Sequence, residues 1–191
     1  MYARILGFAA VAACLAMPVS AAVALGDAAG SYTISPGSSS IRFSIAKAGG
    51  GGFNGAFARF KGSIRIDNSD VGRSQVNFTI FPESVGTGQG RIDTFLRSDA
   101  VFDAANSPEI QFRSTGVERT SDTAALVTGR LTARGKTFPE KFTAQLDGLK
   151  GGTIKFHVTG KVLRSRYGMD VGTPLYSNIV EFDMTLTGKR G

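Results

Sequence analysis

The feature that most constrains the fold is an alternation of apolar and polar residues with a period of two, which recurs through most of the chain. This period is that of a β-strand with one buried face and one wet face. The clearest runs are residues 41–46, 75–80, 154–159 and 180–187. Weaker runs are 55–67, 109–118, 124–133 and 140–147, and a run from Tyr32 makes a ninth candidate strand.

Turn-forming residues separate these runs, at Asn68-Ser69-Asp70, Ser121-Asp122, Arg134-Gly135-Lys136 and Gly148 to Gly152. Such spacing predicts an antiparallel barrel or sandwich. Several runs reach about ten residues, or ~33 Å, and their apolar faces are crowded with Phe, which favours the barrel. An eight-stranded barrel has room for one small ligand. The glycine-rich segments 49–52 and 86–90 lack phosphate-binding spacing and are expected to be loops at the mouth.

Residues 91–114 break the strand pattern. The apolar residues there are spaced for one or two helical turns: Ile92, Phe95, Leu96 and Phe102. Asp103 and Ser107-Pro108 are expected to end the helix, before strand alternation resumes at Ile110. The predicted fold class is therefore all-β with one short helix, an antiparallel barrel of about eight strands over which the helix forms a lid.

The N-terminus has the pattern of a secretory signal peptide over residues 1–24. Arg4 precedes an apolar run, 5–17, that is too short for a comfortable membrane span, and small residues follow. Residues 25–31 are then expected to be a linker and 32–191 the folded domain. Export to the periplasm is predicted. Cys14, the only cysteine, lies in a loose lipoprotein cleavage box, so a lipid anchor is an open alternative.

Charge and composition limit the chemistry. Loss of Arg4 with the signal peptide lowers the formal net charge from +7 to +6. The basic residues are scattered without interleaved aromatics, which argues against nucleic acid, while peripheral contact with an anionic membrane stays open. His157, the only histidine, is expected on a solvent-facing strand face, and with no other His or Cys after residue 24 a His/Cys metal cluster is excluded.

Acidic residues gather near the helix, at Asp93, Asp99 and Asp103. Carboxylates near helix ends usually cap the helix or pair with Arg, so no enzymatic activity and no cofactor are predicted. A lipid-modifying enzyme that uses Asp93 or Asp103 remains the alternative, together with an interaction module that docks on a membrane surface.

A set of short motifs, in order, resembles the YceI-like family of secreted lipid-binding proteins over about residues 32–186. They include Tyr32-Thr33-Ile34, Ser39 to Phe43, Leu96-Arg97-Ser98, Phe102-Asp103, Gly129, Leu131-Thr132, Arg164-Ser165 and Gly168-Met169. The resemblance implies a lipocalin-like barrel whose lumen holds a polyisoprenoid or similar amphiphile, with an isoprenoid quinone or its precursor among the options. It also implies a periplasmic location. Ser35, Ser38 and Phe95 stand where the family often has Asp, His and His, so the barrel is better supported than the head group.

The predicted function is a periplasmic carrier of such a lipid, with a homodimer left open. The alternation assigns eight residues to the lumen, and the helix adds three: Phe43, Ile45, Phe78, Ile80, Phe156, Val158, Phe182 and Met184, with Phe95, Leu96 and Phe102. These residues could instead fill a closed core. The head-group candidates are Asp93, Arg97 and Arg164.

Overall fold

The computed structural model describes residues 23–191. Most of the predicted signal peptide, and Cys14 with it, lies outside the described residues. The described chain forms eleven strands and one α-helix: β1 (Gly30–Ile34), β2 (Ser40–Ala46), β3 (Gly52–Phe57), β4 (Phe60–Ile66), β5 (Gln75–Ile80), β6 (Val85–Gly86), α1 (Gly90–Arg97), β7 (Ile110–Arg119), β8 (Ala124–Ala133), β9 (Lys136–Lys150), β10 (Thr153–Leu163) and β11 (Ile179–Arg190).

Eight of these strands form a closed antiparallel ring. The order is β1–β4–β5–β7–β8–β9–β10–β11, and β1 closes it by pairing with β11. The remaining strands extend the wall, because β2 pairs with the part of β11 beyond β1, β3 pairs with β2, and β6 pairs with β3. The predicted all-β, eight-stranded, lipocalin-like barrel with a short helix is therefore confirmed.

The two ends of the barrel are built differently. We call the end that carries loop 47–51, α1 with residues 98–109, the turn 134–135 and segment 164–178 the mouth end. The opposite end, the base, carries loops 67–74, 120–123 and 151–152. A 3-10 turn, Leu25–Ala28, covers the base, where Leu25 and Ala28 are buried.

Two boundaries differ from prediction. Residues 25–31 are not a linker: they form the base turn and begin β1, and the Tyr32 hydroxyl donates to the Ala28 carbonyl. The predicted strand 55–67 is two strands, separated at 58–59, where both backbone N–H groups donate to Ser84. That interruption lets β3 pair with β6 and β4 pair with β5.

The helix is shorter than predicted. It ends at Arg97, so Phe102 and Asp103 lie in the turns that follow it. Arg134 explains this ending, because its guanidinium binds the carbonyls of Asp99 and Val101, two groups that a longer helix would use for its own hydrogen bonds. Arg134 reaches them from a two-residue hairpin turn in which both Arg134 and Gly135 have positive φ, at 50° and 71°.

Candidate functional site

An apolar cavity of about 180 Å³ runs through the barrel. It extends from Leu25 and Val71 at the base to Leu96 and Met169 at the mouth end. On the same measure a single water molecule needs roughly 10–15 Å³, so the cavity is about an order of magnitude larger. Polar atoms contribute nothing to its exposed wall. Such a space suits hydrocarbon, because a polar group moved into it would lose its hydrogen bonds to water without replacement.

Ten of the eleven residues predicted for the lumen lie on the cavity wall. They are Phe43, Ile45, Phe78, Ile80, Leu96, Phe102, Phe156, Val158, Phe182 and Met184. Phe95 is the exception and corrects the prediction: its side chain is 47% exposed, whereas its neighbour Leu96 is 3% exposed. On a helix of two turns adjacent residues face different directions, so only one of the two can point into the barrel.

Glycines on the inner face determine how the wall phenylalanines lie. Four rings pack against a glycine of the neighbouring strand: Phe43 against Gly55, Phe78 against Gly62, Phe112 against Gly129 and Phe142 against Gly160. A Cβ at any of the four glycines would approach the ring to 2.3–2.6 Å, which is too close for two carbon atoms. The rings therefore occupy space that a side chain at each glycine would fill, and the lumen stays open despite its many aromatic residues.

Each head-group candidate has structural partners of its own. The Asp93 carboxylate accepts from the hydroxyl and the backbone N–H of Thr87, both at 2.7 Å. The hydrogen bond from the Thr87 hydroxyl lowers the pKa of Asp93 below its ordinary value, helped by the Thr87 backbone N–H and the charge of Arg97. Arg97 donates to the Val85 carbonyl at 2.9 Å, and its buried Nε has no hydrogen-bond partner among the described residues.

Arg164 is buried and organises the mouth end. Its guanidinium donates to the carbonyls of Ser177, Met169, Val171 and Tyr176, all within segment 164–178. Desolvation lowers the pKa of Arg164, opposed by the charge of Asp170. No hydrogen bond or ion pair within residues 23–191 links Arg164 to Asp93 or Arg97. Arg164 therefore holds the segment that covers the lumen and presents no polar atom to it.

Sequence reasoning missed a buried carboxylate beside the lumen. Glu140 is only 7% exposed and accepts a hydrogen bond from the Tyr167 hydroxyl at 2.9 Å, with Arg166 at 3.9 Å. Desolvation raises the pKa of Tyr167, and Glu140 adds to this by accepting a hydrogen bond from the protonated hydroxyl and by its negative charge. Strand parity could have revealed Glu140, because it shares the inward face of β9 with Phe138 and Phe142.

His157 is exposed as predicted and pairs with Asp183 on the outer wall at 3.0 Å. Across residues 23–191 no group of three or more His, Cys, Asp or Glu residues is arranged to hold a metal ion. None of the helices in that range has the length and apolar character that a membrane span needs.

The geometry defines a class of protein: a lipocalin-like barrel that encloses an apolar cavity, with a short helix at its mouth. Sequence comparison assigns the family. A family model for the YceI-like domain matches residues 32–188, and the chain belongs to the YceI-like family. It is 30% identical over 155 residues to a UPF0312 protein of Serratia proteamaculans, and the aligned region covers 78% of this chain and 80% of that one.

Solved structures agree in fold. Burkholderia cenocepacia BcnA superposes with a TM-score of 0.75 at 20% identity, covering 81% of this chain and 98% of that one. A polyisoprenoid-binding domain from Saccharophagus degradans, implicated in plant cell wall breakdown, superposes with a TM-score of 0.67 at 16% identity, covering 84% of this chain and 98% of that one. At these identities the likeness extends to the fold.

Proposed function

We propose that this protein binds a neutral lipid with a long hydrocarbon chain, of the polyisoprenoid type, in the barrel lumen and carries it through the periplasm. The observation that carries the proposal is a continuous cavity wall with no exposed polar atom. Membership of the YceI-like family and the fold shared with a polyisoprenoid-binding domain support the same ligand class. The isoprenoid quinones and their precursors fit this description. Periplasmic location rests on the predicted signal peptide.

The polar end of the ligand is expected to lie at the mouth end, outside the apolar part of the lumen. A charged group buried there would lose several kcal/mol of hydration without a partner. Arg164, the one charged residue on the lining, already donates to four carbonyls. A neutral quinone ring or hydroxyl is therefore favoured over a phosphate.

We infer binding rather than catalysis. The two carboxylates considered for an enzyme have structural partners, since Asp93 accepts from Thr87 and Asp103 accepts from the Asn106 side chain at 2.9 Å. Neither of them lines the cavity.

The test is a single substitution whose larger side chain fills part of the lumen. Ala144 lies on the cavity wall in β9, so Ala144→Leu places three more carbon atoms in the space that a ligand would use. Uptake of a prenyl-chain lipid should fall by about tenfold or more, since overpacking a filled lumen is unfavourable. Thr143→Leu, the next residue and on the outer face, is the matched control and should leave uptake unchanged.

Binding is measured by native mass spectrometry on purified protein incubated with the lipid, and folding by circular dichroism. The proposal fails if wild-type protein takes up no prenyl-chain lipid. It also fails if Ala144→Leu and Thr143→Leu, both folded, take up as much as wild type.

A further inference from the structure

Charged residues on the outer wall are arranged differently on two sides of the barrel. On the β10–β11 side, Lys161 pairs with Glu181 at 2.6 Å and His157 with Asp183 at 3.0 Å. Arg42 of β2 lies opposite the same Asp183 in the strand register. These three basic residues have an acidic neighbour, whereas Lys155 of β10 and Lys189 of β11 lie opposite threonines.

The β7–β9 side carries basic residues without such neighbours. Arg113 of β7 lies directly opposite Arg130 of β8, and Lys141 of β9 is opposite Thr128, two residues along β8 from Arg130. All three side chains are exposed, and within residues 23–191 none makes an ion pair. We call Arg113, Arg130 and Lys141 the cationic face.

The acidic residues nearest to the cationic face in sequence do not neutralise its positive charge. Glu140 precedes Lys141, but its side chain turns inward to Tyr167. Glu109 accepts from the Gln111 side chain and lies four residues before Arg113, about 13 Å along the strand. The adjacent strand β5, QVNFTI, has no charged residue.

This arrangement opposes folding slightly. Side chains directly opposite across two strands have Cβ atoms about 5 Å apart, and like charges at that distance destabilise a sheet. Other residue pairs on the same wall show that acidic residues fit there. An anionic partner would compensate the cationic face. Its residues span three adjacent strands, about 10 Å, which is within the Debye length at physiological salt, so they attract a partner together.

We propose that the cationic face docks on a bilayer that contains anionic phospholipid. The choice of a lipid surface rests on the proposed function, because a carrier of an apolar lipid must load and unload at a membrane. Lys and Arg side chains at an anionic surface act additively and are sensitive to salt. The sequence did not indicate this surface, since its three residues are 11 and 17 positions apart in the chain and only strand pairing brings them together.

The test compares two double variants that remove the same charge from different parts of the wall. Arg113→Gln with Arg130→Gln disrupts the cationic face, and Arg42→Gln with Lys189→Gln is the matched control on β2 and β11, strands that do not pair with β7, β8 or β9. Each protein is floated with vesicles of phosphatidylcholine alone and with vesicles in which about a third of the lipid is phosphatidylglycerol. The first variant should bind the anionic vesicles about 25-fold more weakly than wild type, at about fivefold per residue, and the control within about twofold.

Several results would overturn the proposal. Equal flotation of wild type with both vesicle types, or with neither, would exclude recognition of anionic lipid. Equal losses in the two double variants would mean that net charge alone matters. Tighter binding of an oligonucleotide or of heparin through the same two arginines would identify a polyanion other than a bilayer as the partner. Thermal denaturation excludes unfolding as the cause, since replacing both arginines of this like-charged pair by glutamine should maintain or raise Tm. Prenyl-lipid uptake, measured separately on wild type, tests the proposed function independently.

Discussion

The arginines at the mouth end act mainly as donors to backbone carbonyls. Arg134 binds the carbonyls of Asp99, Val101 and Gly168, and Arg164 binds four within its own segment. A planar guanidinium with five N–H groups can join carbonyls from several turns, which a lysine ammonium cannot do in the same geometry. These side chains hold irregular backbone in place over an apolar lumen.

Asp93 is expected to make a pH-dependent contribution to the stability of the fold. Its pKa is lowered by the hydrogen bond from Thr87, so the charged carboxylate stabilises the fold above the ordinary pKa of 3.8, and this stabilisation is lost as the pH falls through the lowered value. Asp93→Asn keeps an acceptor for Thr87 but removes the charge. Its Tm should be below that of wild type above about pH 5, and the difference should disappear in strong acid.

Asp99→Asn serves as the control, because the Asp99 contact is made by its backbone carbonyl. Its Tm should follow that of wild type across the pH range, by differential scanning calorimetry. A Tm difference between Asp93→Asn and wild type that persists unchanged in strong acid would contradict the assignment.

At the scale of elements, local alternation was sufficient to predict most strands. Residues 124–133 form β8 with the predicted bounds, and 109–118 differs from β7 by one residue at each end. Long-range contacts determine what alternation could not predict. The split at 58–59 depends on Ser84, and the early end of α1 depends on Arg134, 37 positions beyond Arg97.

In the candidate site, too, local alternation predicted some features, and others depend on long-range pairing. Strand parity placed Phe43 and Phe156 on the wall correctly, because parity is local. It did not reveal that inward glycines lie beneath the rings, since which glycine faces which ring depends on register between strands. The cationic face escaped prediction for the same reason.

The close packing of rings against glycine predicts the effect of adding one methyl group. A Cβ at Gly160 would lie 2.3 Å from the Phe142 ring, so Gly160→Ala should push that ring into the lumen. We expect a loss of about 1–3 kcal/mol in the free energy of unfolding, together with weaker lipid uptake. Urea denaturation and native mass spectrometry measure the two effects.

Gly116→Ala is the matched control, because a Cβ at Gly116 of β7 meets nothing within 4 Å. It should leave uptake unchanged and should not lower stability by steric conflict. If the two variants behave alike, the packing of Phe142 over Gly160 does not shape the lumen.

The whole molecule combines a base covered by the turn Leu25–Ala28, an apolar lumen and a mouth end held by hydrogen bonds from arginines. Leu25 closes the lumen at the base, where the Leu25 N–H donates to the Asp122 carbonyl at 2.8 Å. The lumen therefore has a fixed depth, and a chain that enters from the mouth end can extend only until it reaches that turn. A lumen of fixed depth is expected to limit the length of chain that it can hold.

Affinity should accordingly rise with chain length and then stop rising. Each buried methylene contributes roughly 0.8 kcal/mol, so the Kd for a series of linear alcohols should fall about fourfold per methylene until the lumen is filled. Competition with a fluorescent apolar probe measures the series. Ala144→Leu, which shortens the available space, should reach its plateau at a shorter chain than wild type, whereas Thr143→Leu should not. An affinity that is independent of length, or a plateau that is identical in both variants, would show that the chain does not occupy the lumen.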